Sequence, residues 1–217
     1  MVRWGGVVAD IGTDHAYLPC ALVLEGRSPR VYASDINRRP LSRAEKTIEL
    51  YGLSDKVEAI LSDGLSALKG RGITDVVIAG MGGELISSIL CQEDWAKTPE
   101  LSFVLQPMTR HEHLRSALYG MGYQLEEERA VTDGDRIYTV MRAVYTGKMR
   151  KIPLLLAWTG KIWDNNDNDS IKYLAVVNRR LGKIIKGLEH KRSEQLEPHR
   201  ALYRKIKERV DRHVQGI

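Results

Sequence analysis

The chain has 217 residues, enough for one medium domain or for one domain with an appendage. It is 43% hydrophobic, yet no apolar run approaches the ~20 residues of a membrane span, and the opening MVRWGG runs straight into a strand pattern without a signal-peptide pattern. The net charge of +5 is uneven: 17 Lys and Arg against 8 Asp and Glu from Lys148 onward, but 16 against 20 before it.

An acidic front and a strongly basic tail point to a polyanionic partner, most simply a nucleic acid; a solvated helical face is the plainer alternative. Cys20 and Cys91 both sit in apolar helical patterns. They read as reduced core residues of a cytoplasmic protein, without a disulfide or a metal.

Val7, Val8, Ala9 and Ile11, interrupted by Asp10 and closed by Gly12, predict a strand buried on both faces of a parallel sheet. A helix follows, with Pro19 in its first turn and Gly26 at its end. Strand, glycine turn and helix open a doubly wound nucleotide-binding fold. The turn reads GTDHAY, so Asp14 and Tyr17 stand where a dinucleotide fingerprint needs glycines. A carboxylate there repels a pyrophosphate and suits a cationic ligand such as S-adenosylmethionine. Alternatively, Asp10 and Asp14 only cap the helix and satisfy loop amides.

The second strand, Val31–Asp35, ends in an acid placed to accept two ribose hydroxyls. The next helix starts at Pro40, with Leu41, Ala44, Ile48 and Tyr51 on one face. Val57–Leu61 predicts the third strand, and Asp63 at its end could accept the exocyclic amine of an adenine or form an ordinary Asp-Gly turn. Asp75–Ala79 predicts the fourth, followed by Gly80-Met81-Gly82-Gly83, a loop that lets a ligand approach the backbone. Leu101–Leu105 predicts the fifth, followed by Gln106-Pro107-Met108; the Gln106 amide can read a base edge. His111 and His113 open the following helix and read as solvated or RNA-facing, not as a metal pair.

Tyr123–Val131 and Ile137–Val144 alternate around Thr132-Asp133-Gly134-Asp135, a hairpin signal. A parallel sheet finished by an antiparallel hairpin is typical of S-adenosylmethionine-dependent methyltransferases. Beyond a polar break at Trp163–Ser170, Leu174, Val177, Leu181, Ile184 and Leu188 form a 3-4-3-4 seam, and Leu202, Ile206 and Val210 a second stripe. An antiparallel helical hairpin is expected, with basic residues outside, among them Arg179, Arg180, Lys183, Lys186 and Arg209.

The ordered motifs VVADIGTDHAYLP, ASDINRRPL, DVVIAGMGG, FVLQPM and HLRSALYGMGY resemble the bacterial tRNA (adenine-22-N1)-methyltransferases over nearly the whole chain, and DIGTDHAYLP with IAGMGG is a highly specific pair. The resemblance implies an α/β fold: a Rossmann-like class I methyltransferase sheet over residues 1–147, and a C-terminal coiled-coil domain over 148–217 that binds tRNA. It implies methylation of N1 of adenine 22 by S-adenosylmethionine. The methionine part falls at Asp10, Gly12 and Asp14, with Thr13 and His15 in the same turn. The nucleoside falls near Asp35 and Asp63, beside Ile36 and Gly64, with Gly80 completing the cofactor set.

Met81 and Gln106 are then the catalytic pair. Gly82, Gly83, Pro107, Met108 and Arg110, with Arg179, Lys183 and Lys186 on the tail, contact the tRNA. Similar proteins carry a helix before the first strand, where this chain has six residues. A monomer is expected, a dimer through the coiled coil being the alternative. The rival functions are methylation of another RNA or of a small molecule, a nicotinamide oxidoreductase, which needs the missing glycines, and a non-enzymatic RNA-binding protein.

Overall fold

Residues 1–215 are described by a computed structural model. Short apolar runs closed by Asp or Gly give β1 (Val8–Ile11), β2 (Val31–Asp35) and β3 (Val57–Leu61), with α1 (Tyr17–Leu24) and α2 (Arg38–Leu50) between them. β4 (Asp75–Gly82), α3 (Gly83–Gln92), β5 (Ser102–Thr109) and α4 (His111–Gly120) continue the alternation. β6 (Tyr123–Asp133) and β7 (Arg136–Tyr145) form the hairpin. The sheet order is β3-β2-β1-β4-β5-β7-β6, with the first five strands parallel and β7 antiparallel between β5 and β6.

Every residue of β1 is buried because helices cover both faces of the sheet. Three local expectations are corrected. α2 begins two residues before Pro40, which the first turn tolerates. Tyr51 falls past the end of α2 and is exposed. Cys91 is also exposed: Ile86, Ile89 and Leu90 make the buried stripe of α3, and the next residue rotates about 100° away from it.

The tail begins with α5 (Leu154–Thr159) and a 3₁₀ turn over Gly160–Asp164. α6 (Asn168–His190) is capped by Asp167, which accepts the Ser170 N–H at 2.8 Å, and α7 (Leu196–Val214) returns against it. Leu174, Leu181, Leu202 and Ile206 of the two helices share one buried cluster with Trp158 and with Ala130 of β6.

A buried ion pair fastens this tail to the sheet. Arg115 of α4 donates from Nε and Nη2 to one Glu128 oxygen at 3.0 and 2.6 Å, from Nη1 to the Ala157 and Trp158 carbonyls, and from Nη2 to the Tyr173 hydroxyl. The other Glu128 oxygen accepts the Lys161 N–H at 2.9 Å. A β-bulge at Glu126 makes this possible. It shifts the alternation of β6 by one residue, so that Glu128 and Ala130 face inward and Val131 faces out.

Candidate functional site

The strand order reverses between β1 and β4, and an open α/β sheet binds its ligands beyond the carboxyl ends of the strands at that point. β4 lies between two neighbours, yet its buried run Asp75–Ile78 gives way to exposed Ala79 and Gly80. The GTDHAY turn after β1 is tightly wound: Gly12, Asp14 and Ala16 have φ of 75°, 45° and 54°. The N–H groups of Gly12 and Thr13 both donate to the Ser34 carbonyl, at 2.8 and 3.0 Å, which locks the turn onto β2. The N-cap position of α1 is Ala16, with no side-chain cap, so neither Asp10 nor Asp14 serves as its cap.

Asp10 is only 6% exposed. Burial pushes its carboxyl up to about 6; the Thr13 hydroxyl beside it, short of full hydrogen-bond geometry, offsets this only in part. Among the described residues, no cation acts on Asp10. Asp14 is exposed and meets Arg43 of α2 at 3.2 Å and the ring of His15 at 3.5 Å. The sequence reading missed Arg43, since nothing local links two residues 29 positions apart. At the end of β2, one oxygen of buried Asp35 accepts the Asn37 N–H at 2.8 Å, while the neighbouring Ile36 is 58% exposed. Asp63 is exposed after β3, and Gly64 sits under Ile89 of α3.

The stretch expected as a glycine loop is instead the end of β4. Met81 pairs with Pro107 and Gly82 with Thr109, so Gln106-Pro107-Met108 also belongs to a strand. The two ends hold each other through register shifts that no local pattern announces. The glycines differ in use. Gly80 has φ of 78° and open space where a side chain would stand. Gly82 has an ordinary φ of −69°. A Cβ on Gly83 would lie 2.6 Å from the Arg110 carbonyl oxygen, so that position needs a glycine for close approach. The Met81 side chain rests on Gly12.

The Gln106 carboxamide, expected to read a base edge, is engaged internally. Its oxygen accepts the Gly80 N–H at 2.8 Å, and its nitrogen donates to the Pro107 carbonyl at 3.2 Å. Arg110 stands in the left-handed region, φ 56°, with its guanidinium 3.4 Å from Glu84.

On the tail, Arg179, Lys183 and Lys186 are exposed on α6. Arg180 and Arg209 are not part of the outer basic face. Arg180 is bidentate to Glu112 at 2.8 and 3.0 Å and lies over the Trp158 ring, while Arg209 donates to Asn165 and Asn166 and lies over Trp163. His113 is exposed as expected. His111 is half-buried against Tyr173, and burial, then the Arg115 and Arg180 charges, hold its ring down to about 4.

A family model described as "Methyltransferase domain" matches residues 1–141. The chain is 36% identical over 139 residues to the tRNA (adenine(22)-N(1))-methyltransferase of Bacillus subtilis (strain 168), covering 64% of this chain and 58% of that one. The chain thus spans about three-fifths of the length of the curated relatives it matches. Among solved structures it is similar to the Streptococcus pneumoniae protein Sp1610 in complex with S-adenosyl-L-methionine, with TM-score 0.77 and 27% identity over 97% of this chain and 94% of that one. It is also similar to M. capricolum TrmK in complex with S-adenosyl-homocysteine, with TM-score 0.71 and 27% identity over 100% and 92%.

Proposed function

The chain belongs to the family of methyltransferase domains, and from that premise we propose that it transfers a methyl group from S-adenosylmethionine to N1 of adenine 22 in tRNA. The observation that carries the reading is Asp10, a buried carboxyl at the strand ends without a cation among the described residues. A ligand bearing an ammonium and a sulfonium supplies that cation, and a pyrophosphate does not. Asp35 supports the reading from the next strand: one oxygen is held by Asn37, and the other can accept a ribose hydroxyl.

The residues present therefore fit the donor. Asp10, Gly12, Thr13, Asp14 and His15 face its methionine end. Asp14 already shares its charge with Arg43, so Asp10 is the stronger anchor. Asp35 and Ile36 take the ribose and one face of the adenine, Asp63 and Gly64 its far edge, and Gly80 leaves room between them.

When bound, the donor supplies an electrophilic methyl group on a sulfonium. Neutral adenine N1 carries a lone pair and no proton, so the chain needs no general base. Its contribution is alignment, which removes ~7–11 kcal/mol of a barrier when reacting atoms are well held. Gln106 acts here as a positioning residue, tying the ends of β4 and β5 together through Gly80. Met81 and Met108 offer apolar contact to the base, with Pro107 buried behind them, and Gly82 keeps the backbone beneath it low, while Gly83 serves the close approach to Arg110. N1 lies on the pairing edge, so the base must leave its stack before it can react. Residues 1–147 hold the donor and residues 148–217 the tRNA, with Arg179, Lys183 and Lys186 of α6 meeting phosphates.

Mass spectrometry of tRNA nucleosides after incubation with the protein and S-adenosylmethionine tests the reaction: N1-methyladenosine is expected, and its absence ends the reading. Calorimetry tests the site. Asp35→Ala is expected to weaken S-adenosylmethionine binding by about 1.5–3 kcal/mol, the loss of a charged hydrogen-bond partner. Unchanged affinity removes Asp35 from it.

A further inference from the structure

A cavity of about 640 Å³ opens between the end of β5, the first turn of α4 and one face of α6. Its size is that of a small-molecule site. Its near rim is Met108 and Arg110, where the proposed reaction centre ends. Its far wall is Tyr173, Val176 and Arg180 of α6, the helix that carries Arg179, Lys183 and Lys186 just beyond. The opening thus joins the strand ends of the proposed reaction centre to the helix that bears the basic face.

The lining suits a flat, neutral group with a negative charge at one edge. The half-buried His111 ring lines the opening against the almost fully buried Tyr173 ring, with centroids 6.1 Å apart and tilted by 57°. Met108 and Val176 are 45% and 44% exposed, apolar surface turned toward open space. The His111 ring is uncharged at neutral pH, held down to about 4 chiefly by burial, and it faces the Pro107 carbonyl. A neutral ring that donates one hydrogen bond keeps its other nitrogen as an acceptor.

The two guanidinium groups already have carboxylate partners, Glu84 for Arg110 and Glu112 for Arg180. They can share a phosphate at the rim but make the cavity a poor home for a free polyanion. None of the donor-side residues lines it: Asp10, Gly12, Asp35, Gly80 and Met81 all lie elsewhere.

We propose that this cavity takes one unstacked nucleotide of the RNA substrate, distinct from the methylated one, with its base against His111 and Val176 and its phosphate at Arg110. Aromatic stacking of a splayed base beside a guanidinium is the ordinary chemistry of single-stranded RNA recognition. The cavity would then read the neighbourhood of the target adenine, and the joint between sheet and tail sets the distance between the two. The proposal rests on the RNA methyltransferase reading above.

Val176→Trp fills the opening from an exposed position of α6. With full-length tRNA it is expected to raise the KM for tRNA at least about tenfold, the loss of one stacked base. Its affinity for S-adenosylmethionine by calorimetry and its melting temperature should match the parent. A photo-crosslinking amino acid at position 176 is expected to attach to a nucleotide other than the methylated adenine, read by mass spectrometry of the digested RNA. Unchanged KM for Val176→Trp, no crosslink, or a crosslink to the methylated adenine itself each overturns the proposal. A parent protein that binds S-adenosylmethionine but methylates no tRNA instead overturns the reading on which it rests.

Discussion

Two acids of this chain are almost equally buried, Asp10 at 6% and Glu128 at 3% exposure, and the fold treats them in opposite ways. Glu128 receives two bonds from Arg115 and one from the Lys161 backbone. Asp10 has the Thr13 hydroxyl beside it and no cation among the described residues. Removing a charge from water is costly unless a partner replaces the water. The pair at Glu128 is therefore architecture, complete within the chain. The carboxyl at Asp10 is incomplete within the chain, and it stands at the strand ends where ligands bind. Burial is common to both; what marks the site is the missing partner.

Breaking the complete pair should produce the largest effect. Arg115→Leu leaves Glu128 buried without its cation and is expected to lower stability by about 3–5 kcal/mol. Arg115→Leu with Glu128→Leu should recover most of that loss. Urea unfolding of both variants checks this, and a single variant as stable as the parent would deny the joint its role.

Asp10 should respond in the opposite direction. Its carboxyl is raised from 3.8 to about 6 in the fold, so the unfolded chain ionises first. The cost is absent below about pH 4, grows as pH rises to 6, and is complete above it. Asp10→Asn should therefore match the parent near pH 4 and exceed it by about 3 kcal/mol at pH 7.5, while losing affinity for S-adenosylmethionine. Thermal melts at the two pH values decide, and a variant destabilised at pH 7.5 would contradict the unpaired charge.

The glycines extend the contrast between architecture and site. Gly83→Ala forces a methyl group against the Arg110 carbonyl and should cost about 1–3 kcal/mol. Gly82→Ala meets only the Thr109 hydroxyl at 3.2 Å and should cost less than about 1 kcal/mol. Equal melting temperatures for the two would show that the close approach at Gly83 is unimportant. The smallest effect on stability is expected from Lys183→Ala and Lys186→Ala, within about 0.5 kcal/mol of the parent. Each should nevertheless flatten the dependence of log tRNA affinity on log salt by about one. An unaltered slope would place the phosphates elsewhere.

The sequence by itself determined the order of strands and helices from β1 to β7, the spans of β2 and β3, and the core stripe Leu174, Leu181, Leu202 and Ile206 of the helical hairpin. These depend on local periodicity and on Asp, Gly and Pro punctuation, which a single segment carries. The acids at the strand ends were legible for the same reason, since each stands within or just after its own apolar run. What only the tertiary structure decided depends on partners far away in the chain. β4 and β5 extend through Gly82 and Thr109 because each supplies the other's hydrogen bonds. Gln106 turns its carboxamide to Gly80, 26 residues away, and so leaves the role its chemistry suggested. Arg180 leaves the basic face because Glu112 and Trp158 lie beneath it. Glu128 enters the core because one bulged residue reverses the alternation of β6 and brings it to Arg115. A strand's own pattern cannot announce a bulge, since the extra residue is defined only against the strand beside it.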